Sequence, residues 1–214
     1  DGTLVDTIPG VLEAHNHVRA HYDLDLWQLE WFKTNMKQSA LKLYPEIFGK
    51  DSEHAIDMLY GYIEDNHLER LMPLSGAQKL LESLHNAGIP MAVISNKRHK
   101  YLMREIEHMG WQDMFIGAIG AGVAAKDKPD PDPIIKILDE NDLTAEDVYY
   151  VGDTETDLQA SLTAGCPSIL VLNGDNKDNL IDKYVPALVV NDCHMLEERF
   201  CAALQKQNLL KKAI

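Results

Sequence analysis

The chain has 214 residues, of which 45% are hydrophobic, a composition typical of one large globular domain or of a core with a smaller insert. Its formal net charge of -14 argues against nucleic acid and against an anionic membrane surface as the main partner. No apolar run approaches the roughly 18 residues of a membrane span, and three cysteines without C-x-x-C spacing fit a reducing compartment. We therefore expect a cytoplasmic protein that is a monomer or a homodimer.

Helical periodicity dominates the first third of the chain. After a turn at Asp1-Gly2-Thr3, apolar side chains recur at helical spacing through residue 71, for example at Val11 and Val18. No alternating strand pattern interrupts them. We predict that residues 9–73 form an all-helical domain, with hinges at residues 4–9 and 72–76, where proline and glycine punctuate the chain.

Strand and helix patterns alternate over the remaining residues. Buried strands are predicted at residues 89–94, 114–119, 147–151 and 168–172, with a short edge strand at 187–190. Helical patterns separate these strands. The alternation predicts an α/β domain with a Rossmann-like, doubly wound parallel sheet, built from residues 1–8 and 74–214.

Two carboxylates follow the strand predicted at residues 147–151. Gly152 ends this strand, Asp153 comes next, and a helix follows with Leu158 and Leu162 on its apolar face. Asp157 lies four residues after Asp153, so both carboxylates can face one point and bind a hard cation, most simply Mg²⁺. The alternative is that Asp153 only caps the helix and Asp157 is solvated.

Other polar residues follow neighbouring predicted strands, and the carboxyl ends of parallel strands share one edge of the sheet. Asp1 and Thr3 lie in the opening turn. Ser95 and Asn96 directly follow the strand predicted at residues 89–94, and Lys128 precedes a later helix. Carboxylates, a hydroxyl and a lysine at one edge predict phosphoryl transfer. We interpret Lys126, Lys97 and Arg98 as solvated charges.

Four segments occur in an order that carries a family resemblance: Asp1-Gly2-Thr3-Leu4-Val5-Asp6-Thr7, Val93-Ile94-Ser95-Asn96, Lys128-Pro129-Asp130-Pro131-Asp132-Pro133 and Val151-Gly152-Asp153-Thr154-Glu155-Thr156-Asp157. Together with the helical insert after the first segment, they resemble the haloacid dehalogenase superfamily, in its phosphoglycolate-phosphatase-like branch with a helical (C1-type) cap. The resemblance implies a Mg²⁺-dependent phosphatase that hydrolyses a small phosphorylated metabolite through an aspartyl-phosphate. Residues 9–73 would be the cap domain.

The resemblance also implies roles for the acidic residues and for Thr3. Asp1 would protonate the leaving group and then activate water, and its backbone carbonyl would bind Mg²⁺. Thr3 would position the Asp1 carboxylate. Asp153 would bind Mg²⁺ directly, and Asp157 would do so through water or would support Lys128.

The same resemblance implies that three other residues bind the phosphate. Ser95 would hold a phosphate oxygen, with the Asn96 N–H group nearby, and Lys128 would pair with the phosphate and with the nucleophile. The nucleophilic aspartate of the family would lie two residues before Asp1 and is missing from the printed sequence. We expect the natural protein to extend upstream of Asp1.

Two alternatives remain open. A phosphomutase shares this scaffold, although mutases of the family tend to carry Glu-Asp where this chain has Gly152-Asp153. A protein that has lost the nucleophile would instead bind a phosphorylated ligand, or act as a scaffold, without catalysis.

Overall fold

The computed structural model describes residues 1–35 and 40–212. The strands in the described residues are β1 (Val5–Asp6), β2 (Met72–Pro73), β3 (Ala92–Arg98), β4 (Gly117–Ala121), β5 (Tyr150–Gly152), β6 (Ser168–Val171) and β7 (Leu188–Val190). The helices in the same residues are α1 (Ile8–His21), α2 (Leu29–Asn35), α3 (Ala40–Phe48), α4 (Ser52–Asn66), α5 (Ala77–Asn86), α6 (His99–His108), α7 (Asp132–Glu140), α8 (Glu155–Ala164), α9 (Asp178–Tyr184) and α10 (Cys193–Lys212). None of these helices is both long enough and apolar enough to cross a membrane.

The chain divides into two compact units. The core unit comprises Asp1–Val5 and Pro73–Ile214, and the helical unit comprises Asp6–Met72. The chain therefore passes from one unit to the other within residues 4–9 and again within 72–76, the segments predicted as hinges. The assignment of the helical unit as a cap, with the predicted boundaries 9 and 73, stays a prediction.

The helical unit packs its helices around an apolar cluster. Pro9 stands in the first turn of α1, where a missing N–H group costs nothing. The buried members of the cluster come from α1, α3 and α4: Ala14, Val18, Ala40, Tyr44, Phe48, Ala55 and Leu59. Inside this cluster the hydroxyl of Tyr44 is hydrogen-bonded to Nδ1 of buried His15 at 2.9 Å.

The core unit contains two parallel sheets. Strand β3 pairs with β4, and β5, β6 and β7 pair in that order. An apolar cluster joins α5 and α10 to β6 and β7, and a second cluster joins α7 to α8 with β5 at its margin. Parallel strands with helices on both faces are the predicted α/β, Rossmann-like class.

Several element boundaries differ from those predicted. Strand β3 continues to Arg98 rather than ending at residue 94, because Arg98 still pairs with Ala121 after an irregularity in the register. Leu158 is buried in α8 as expected, but Leu162 is 62% exposed, so its predicted place on the apolar face is wrong. Cys166 is buried in an apolar cluster with Ile134, Leu138 and Ala160.

Candidate active site

Asp153 lies directly after β5 and is the centre of the candidate site. The Thr3 hydroxyl donates a 2.8 Å hydrogen bond to Oδ1 of Asp153. Gly2, with φ of 70°, lies so close to this carboxylate that a Cβ atom at residue 2 would collide with it. The opening turn and the end of β5, 150 residues apart in sequence, therefore form one corner of the core unit.

Two residues of the segment after β6 complete this corner. Lys177 Nζ donates to the backbone carbonyls of Asp153 at 2.7 Å and of Val171 at 3.0 Å, and lies 3.9 Å from Oδ2 of Asp153. The Asn173 amide donates to the carbonyl of Gly2. The sequence did not predict either contact, because this segment matches no motif. A lysine whose side chain is only 11% exposed therefore brings positive charge to the Asp153 carboxylate.

The Asp153 carboxylate is the candidate cation ligand of this corner. Burial raises its pKa above the ordinary value, and the charge of Asp157 acts in the same direction, against the Thr3 hydrogen bond and Lys177. Within the described residues, no three His, Cys, Asp or Glu side chains converge as metal ligands. Mg²⁺ fits the oxygen donors of this corner, since it commonly uses one or two carboxylates and keeps several waters.

Asp157 is bound to Lys128 instead of facing the same point as Asp153. Lys128 Nζ lies 2.6 Å from Oδ1 of Asp157, and both side chains are at most 10% exposed. Thr154 donates to Oδ2 of Asp157 from its backbone N–H at 3.1 Å and from its hydroxyl at 2.6 Å, while Tyr150 donates to Oδ1 at 3.2 Å. With both oxygens engaged, Asp157 supports Lys128, which is one of the two roles that the resemblance implies for it.

This environment keeps Asp157 ionised. Burial works to raise the pKa of its carboxyl, but the Lys128 ammonium and the Thr154 hydrogen bonds outweigh burial, and the pKa lies below its ordinary value. The interaction with Thr154 is also a capping box at the start of α8. The Asp157 carboxylate therefore holds both the first turn of α8 and the Lys128 ammonium.

The end of β3 contributes the remaining predicted residues. Lys128 Nζ also donates to the carbonyl of Ile94 at 3.3 Å, which brings the ammonium beside Ser95. The Asn96 amide donates to the Lys128 carbonyl at 2.7 Å, and Ser95 Oγ accepts the N–H of Lys97 at 3.1 Å. Asn96 is therefore tied to the loop of Lys128, while Ser95 contacts Lys97.

Lys97 is not a solvated charge, and this prediction was wrong. Its ammonium lies 2.5 Å from Oδ1 of Asp1 and 2.5 Å from Oε1 of Glu105, with the Lys97 side chain 17% exposed. Burial lowers the pKa of this ammonium, against the Glu105 charge and hydrogen bond, which raise it. Lys126, by contrast, is 71% exposed and pairs with Asp130, as its interpretation as a solvated charge predicts.

The core unit thus joins five of the seven predicted site residues in two contact networks. One network joins Thr3 to Asp153, and the other joins Asn96 and Asp157 to the backbone and the ammonium of Lys128. Asp1 and Ser95 both contact Lys97, Asp1 through the ammonium and Ser95 through the backbone N–H. Carboxylates and ammonium groups at one edge of parallel strands can bind a phosphate together with a cation.

Comparison with known proteins agrees with this geometry. Residues 1–171 match the family model for the haloacid dehalogenase-like hydrolases. A Pseudomonas fluorescens phosphoglycolate phosphatase is 28% identical over 207 residues, which cover 92% of this chain and 75% of the relative. A Vibrio cholerae phosphoglycolate phosphatase is 31% identical over 157 residues, covering 73% and 68% of the two chains.

Solved structures share the fold. A Haemophilus somnus protein described as a predicted phosphoglycolate phosphatase superposes with a TM-score of 0.79 at 20% identity, covering 93% of this chain and 94% of that chain. A haloacid dehalogenase-like family protein from Streptococcus pneumoniae superposes with a TM-score of 0.77 at 18% identity, and each chain is 94% covered. The predicted fold class and the predicted hydrolase class of enzyme are confirmed. This chain belongs to the haloacid dehalogenase-like hydrolases.

Proposed function

We propose that this protein is a Mg²⁺-dependent phosphatase that hydrolyses a small phosphorylated metabolite, with phosphoglycolate as the first candidate. The observation that supports the proposal is a pair of direct hydrogen bonds after β5: Thr3 binds Asp153, and Lys128 binds Asp157 at the start of the helix that follows. The curated relatives named phosphoglycolate phosphatase supply the candidate substrate.

The proposed reaction proceeds in two steps. A carboxylate oxygen of the nucleophilic aspartate, which the family resemblance places two residues before Asp1, attacks phosphorus while the bond from phosphorus to the leaving oxygen breaks. Asp1, as a carboxylic acid, gives its proton to the leaving oxygen. Asp1, now a carboxylate, then takes a proton from water as the water oxygen attacks phosphorus, which restores the aspartate and releases phosphate.

Other residues bind and orient the phosphoryl group. Lys128 offers positive charge and is fixed by Asp157, while Ser95, the residue after the Ile94 carbonyl that Lys128 contacts, offers a hydroxyl. Thr3 and Lys177 hold Asp153 in place. Asp153 and the Asp1 carbonyl would hold Mg²⁺, which would neutralise the negative charge of the phosphate oxygens during transfer of the phosphoryl group. The helical unit, as a cap, would select the substrate.

Phosphomutase activity is the less favoured alternative. Mutases of the family tend to carry glutamate where this chain has Gly152. A Cβ atom at residue 152 would collide with Cβ and Cγ of Asp157, so a side chain there would displace the support of Lys128. The packing around residue 152 therefore does not accommodate the glutamate that is typical of the mutases.

A phosphate-release panel tests the proposal. The protein, expressed with its natural N-terminus, is assayed with phosphoglycolate, sugar phosphates, pyrophosphate and nucleotides in the presence of Mg²⁺. We expect hydrolysis of at least one small phosphomonoester, and a loss of at least about 100-fold in kcat for Lys128→Met. Lys136→Met, which removes an exposed lysine of α7, is the control and should keep wild-type activity. A protein that binds these ligands without turnover would instead support the non-catalytic alternative.

A further inference from the structure

Lys97 lies between two carboxylates in the core unit. Its Nζ donates to Oδ1 of Asp1 at 2.5 Å and to Oε1 and Oε2 of Glu105 at 2.5 Å and 2.7 Å. The Glu105 side chain is only 7% exposed. The ammonium group is therefore held by both oxygens of a buried partner while it contacts one oxygen of Asp1.

Both residues are placed by regular secondary structure. Lys97 lies in β3 two residues after Ser95, and its backbone N–H donates to Ser95 Oγ at 3.1 Å. Glu105 lies on the buried face of α6, next to Ile106. A buried carboxylate is costly unless it is paired, and an apolar residue would fill such a position at lower cost. Glu105 has its ion pair with Lys97, and this pair extends to the candidate site.

We propose that Lys97, anchored by Glu105, is a positioning residue that fixes the orientation of the Asp1 carboxyl group by holding its Oδ1. The inference rests on the proposed phosphatase function and extends it. An ammonium group has only donors, so the Asp1 oxygen that faces Lys97 is held as an acceptor, and Oδ2 is left for the reaction. Glu105 keeps the ammonium in place whether Asp1 is protonated or ionised.

Substrates with different leaving groups distinguish a positioning role of Lys97 from a merely structural role. An alkoxide is a poor leaving group and needs the proton from Asp1, whereas p-nitrophenolate leaves without one. The value of kcat/KM reports the steps through departure of the leaving group. Loss of the Lys97 contact should therefore lower kcat/KM for an alkyl phosphate far more than kcat/KM for p-nitrophenyl phosphate.

The test uses the protein with its natural N-terminus and the double variant Lys97→Met with Glu105→Gln. Removing both charges avoids leaving a buried carboxylate without a partner. The control is Lys136→Met with Glu140→Gln, which removes an exposed lysine–glutamate pair of equal charge from α7, with Nζ 2.6 Å from Oε1. Circular dichroism and the melting temperature establish that each variant is folded.

We expect the double variant to lose about 10-fold to 100-fold in kcat/KM for the alkyl phosphate and less than about threefold for p-nitrophenyl phosphate. The control should match the wild type with both substrates. Glu105→Gln alone, which keeps the ammonium but loosens its anchor, should change the ratio in the same direction by a smaller factor. This single variant decides the question if the double variant does not fold.

The outcomes separate the two proposals. If the wild type hydrolyses neither substrate, the proposed function fails and the inference fails with it. If the wild type is active and both substrates lose kcat/KM equally, or neither loses any, Lys97 does not position the proton of Asp1, while the phosphatase proposal stands.

Discussion

Lys128 and Asp157 form the most deeply buried ion pair of the candidate site, with side chains 10% and 8% exposed. We expect Lys128→Met to destabilise the protein by about 3 kcal/mol, because Asp157 would keep a buried charge without its main partner. The free energy of unfolding in urea measures the effect. Lys136→Met breaks a pair with side chains 38% and 53% exposed, and should change stability by no more than about 0.5 kcal/mol. Equal effects of the two substitutions would contradict this account of the pair.

His15 gives the helical unit a dependence on pH. Burial lowers its pKa from 6.5 to about 4, because the protonated ring is poorly solvated beside Tyr44 and near Arg19. The unfolded chain therefore takes up this proton first as the pH falls. The stabilisation is complete above pH 6.5 and decreases by about 3 kcal/mol as the pH falls to 4.

Urea unfolding at pH 7, 6, 5 and 4 checks this expectation. The variant His15→Gln should be less stable than the wild type at pH 7, since it loses the ring that packs against Tyr44. Its stability should also fall less steeply with decreasing pH. His85→Gln, on the exposed side of α5, is the control. Parallel pH dependences for the wild type and His15→Gln would rule out His15 as the source.

At the scale of single residues, the order of the motifs identified candidate site residues that the composition could not identify. Asp153, Lys128 and Thr3 could be named because each stands in a recognisable segment. Lys97 was misjudged because its partners, Asp1 and Glu105, are fixed by the path of β3 into α6, which the local sequence does not reveal. Lys177 and Asn173 were missed because their contacts join a segment without motifs to Asp153 and Gly2.

The turn from β5 into α8 leaves no room for a larger side chain at Gly152. Because a Cβ atom at Gly152 would collide with Asp157, we expect Gly152→Ala to move Asp157 and Lys128 and to cost about 2 kcal/mol in stability. Activity should fall together with stability. Unfolding in urea and the phosphatase assay, both on purified Gly152→Ala, measure the two effects, and wild-type behaviour in both would contradict the packing described here.

Gly61 provides the matched glycine in the other unit. It lies inside α4, and nothing stands within 4 Å of the position of its missing Cβ atom. Gly61→Ala should therefore stabilise the protein by about 1 kcal/mol, because alanine favours the helix interior and meets no obstacle. A higher urea midpoint checks this, and a loss of stability would show that α4 is constrained in some other way.

At the scale of elements, the hydrophobic periodicity predicted whether a segment is a helix or a strand better than it predicted the residues at which the segment ends. The strands predicted at 168–172 and 187–190 correspond to β6 and β7 within one residue at each end. The strand predicted at 89–94 overlaps β3 only in part, because polar residues 95–98 continue it at the functional edge. Apolar patterns identify the buried middle of a strand, whereas its carboxyl end is polar where it forms a site.

For the whole molecule, charge distribution reconciles an acidic protein with a phosphate substrate. The net charge is -14, yet Lys97, Lys128 and Lys177 all have side chains no more than 17% exposed at the candidate site. Each of these ammonium groups pairs with a carboxylate of the site, so the lysines balance its acidic residues, and a bound cation would add the positive charge that a phosphate needs. The net charge argues against nucleic acid as the main partner but does not reveal these buried pairs.

The central claim is that Asp153 and its neighbours bind a divalent cation and a phosphoryl group together. The most direct measurement is phosphate release from a small phosphomonoester as Mg²⁺ is titrated, with the wild type and with Asp153→Asn. We predict saturable activation of the wild type by Mg²⁺, abolition by EDTA, and a loss of at least about 100-fold for Asp153→Asn. Asp139→Asn, on the exposed side of α7, should behave as the wild type. Turnover that survives both EDTA and Asp153→Asn would contradict the claim.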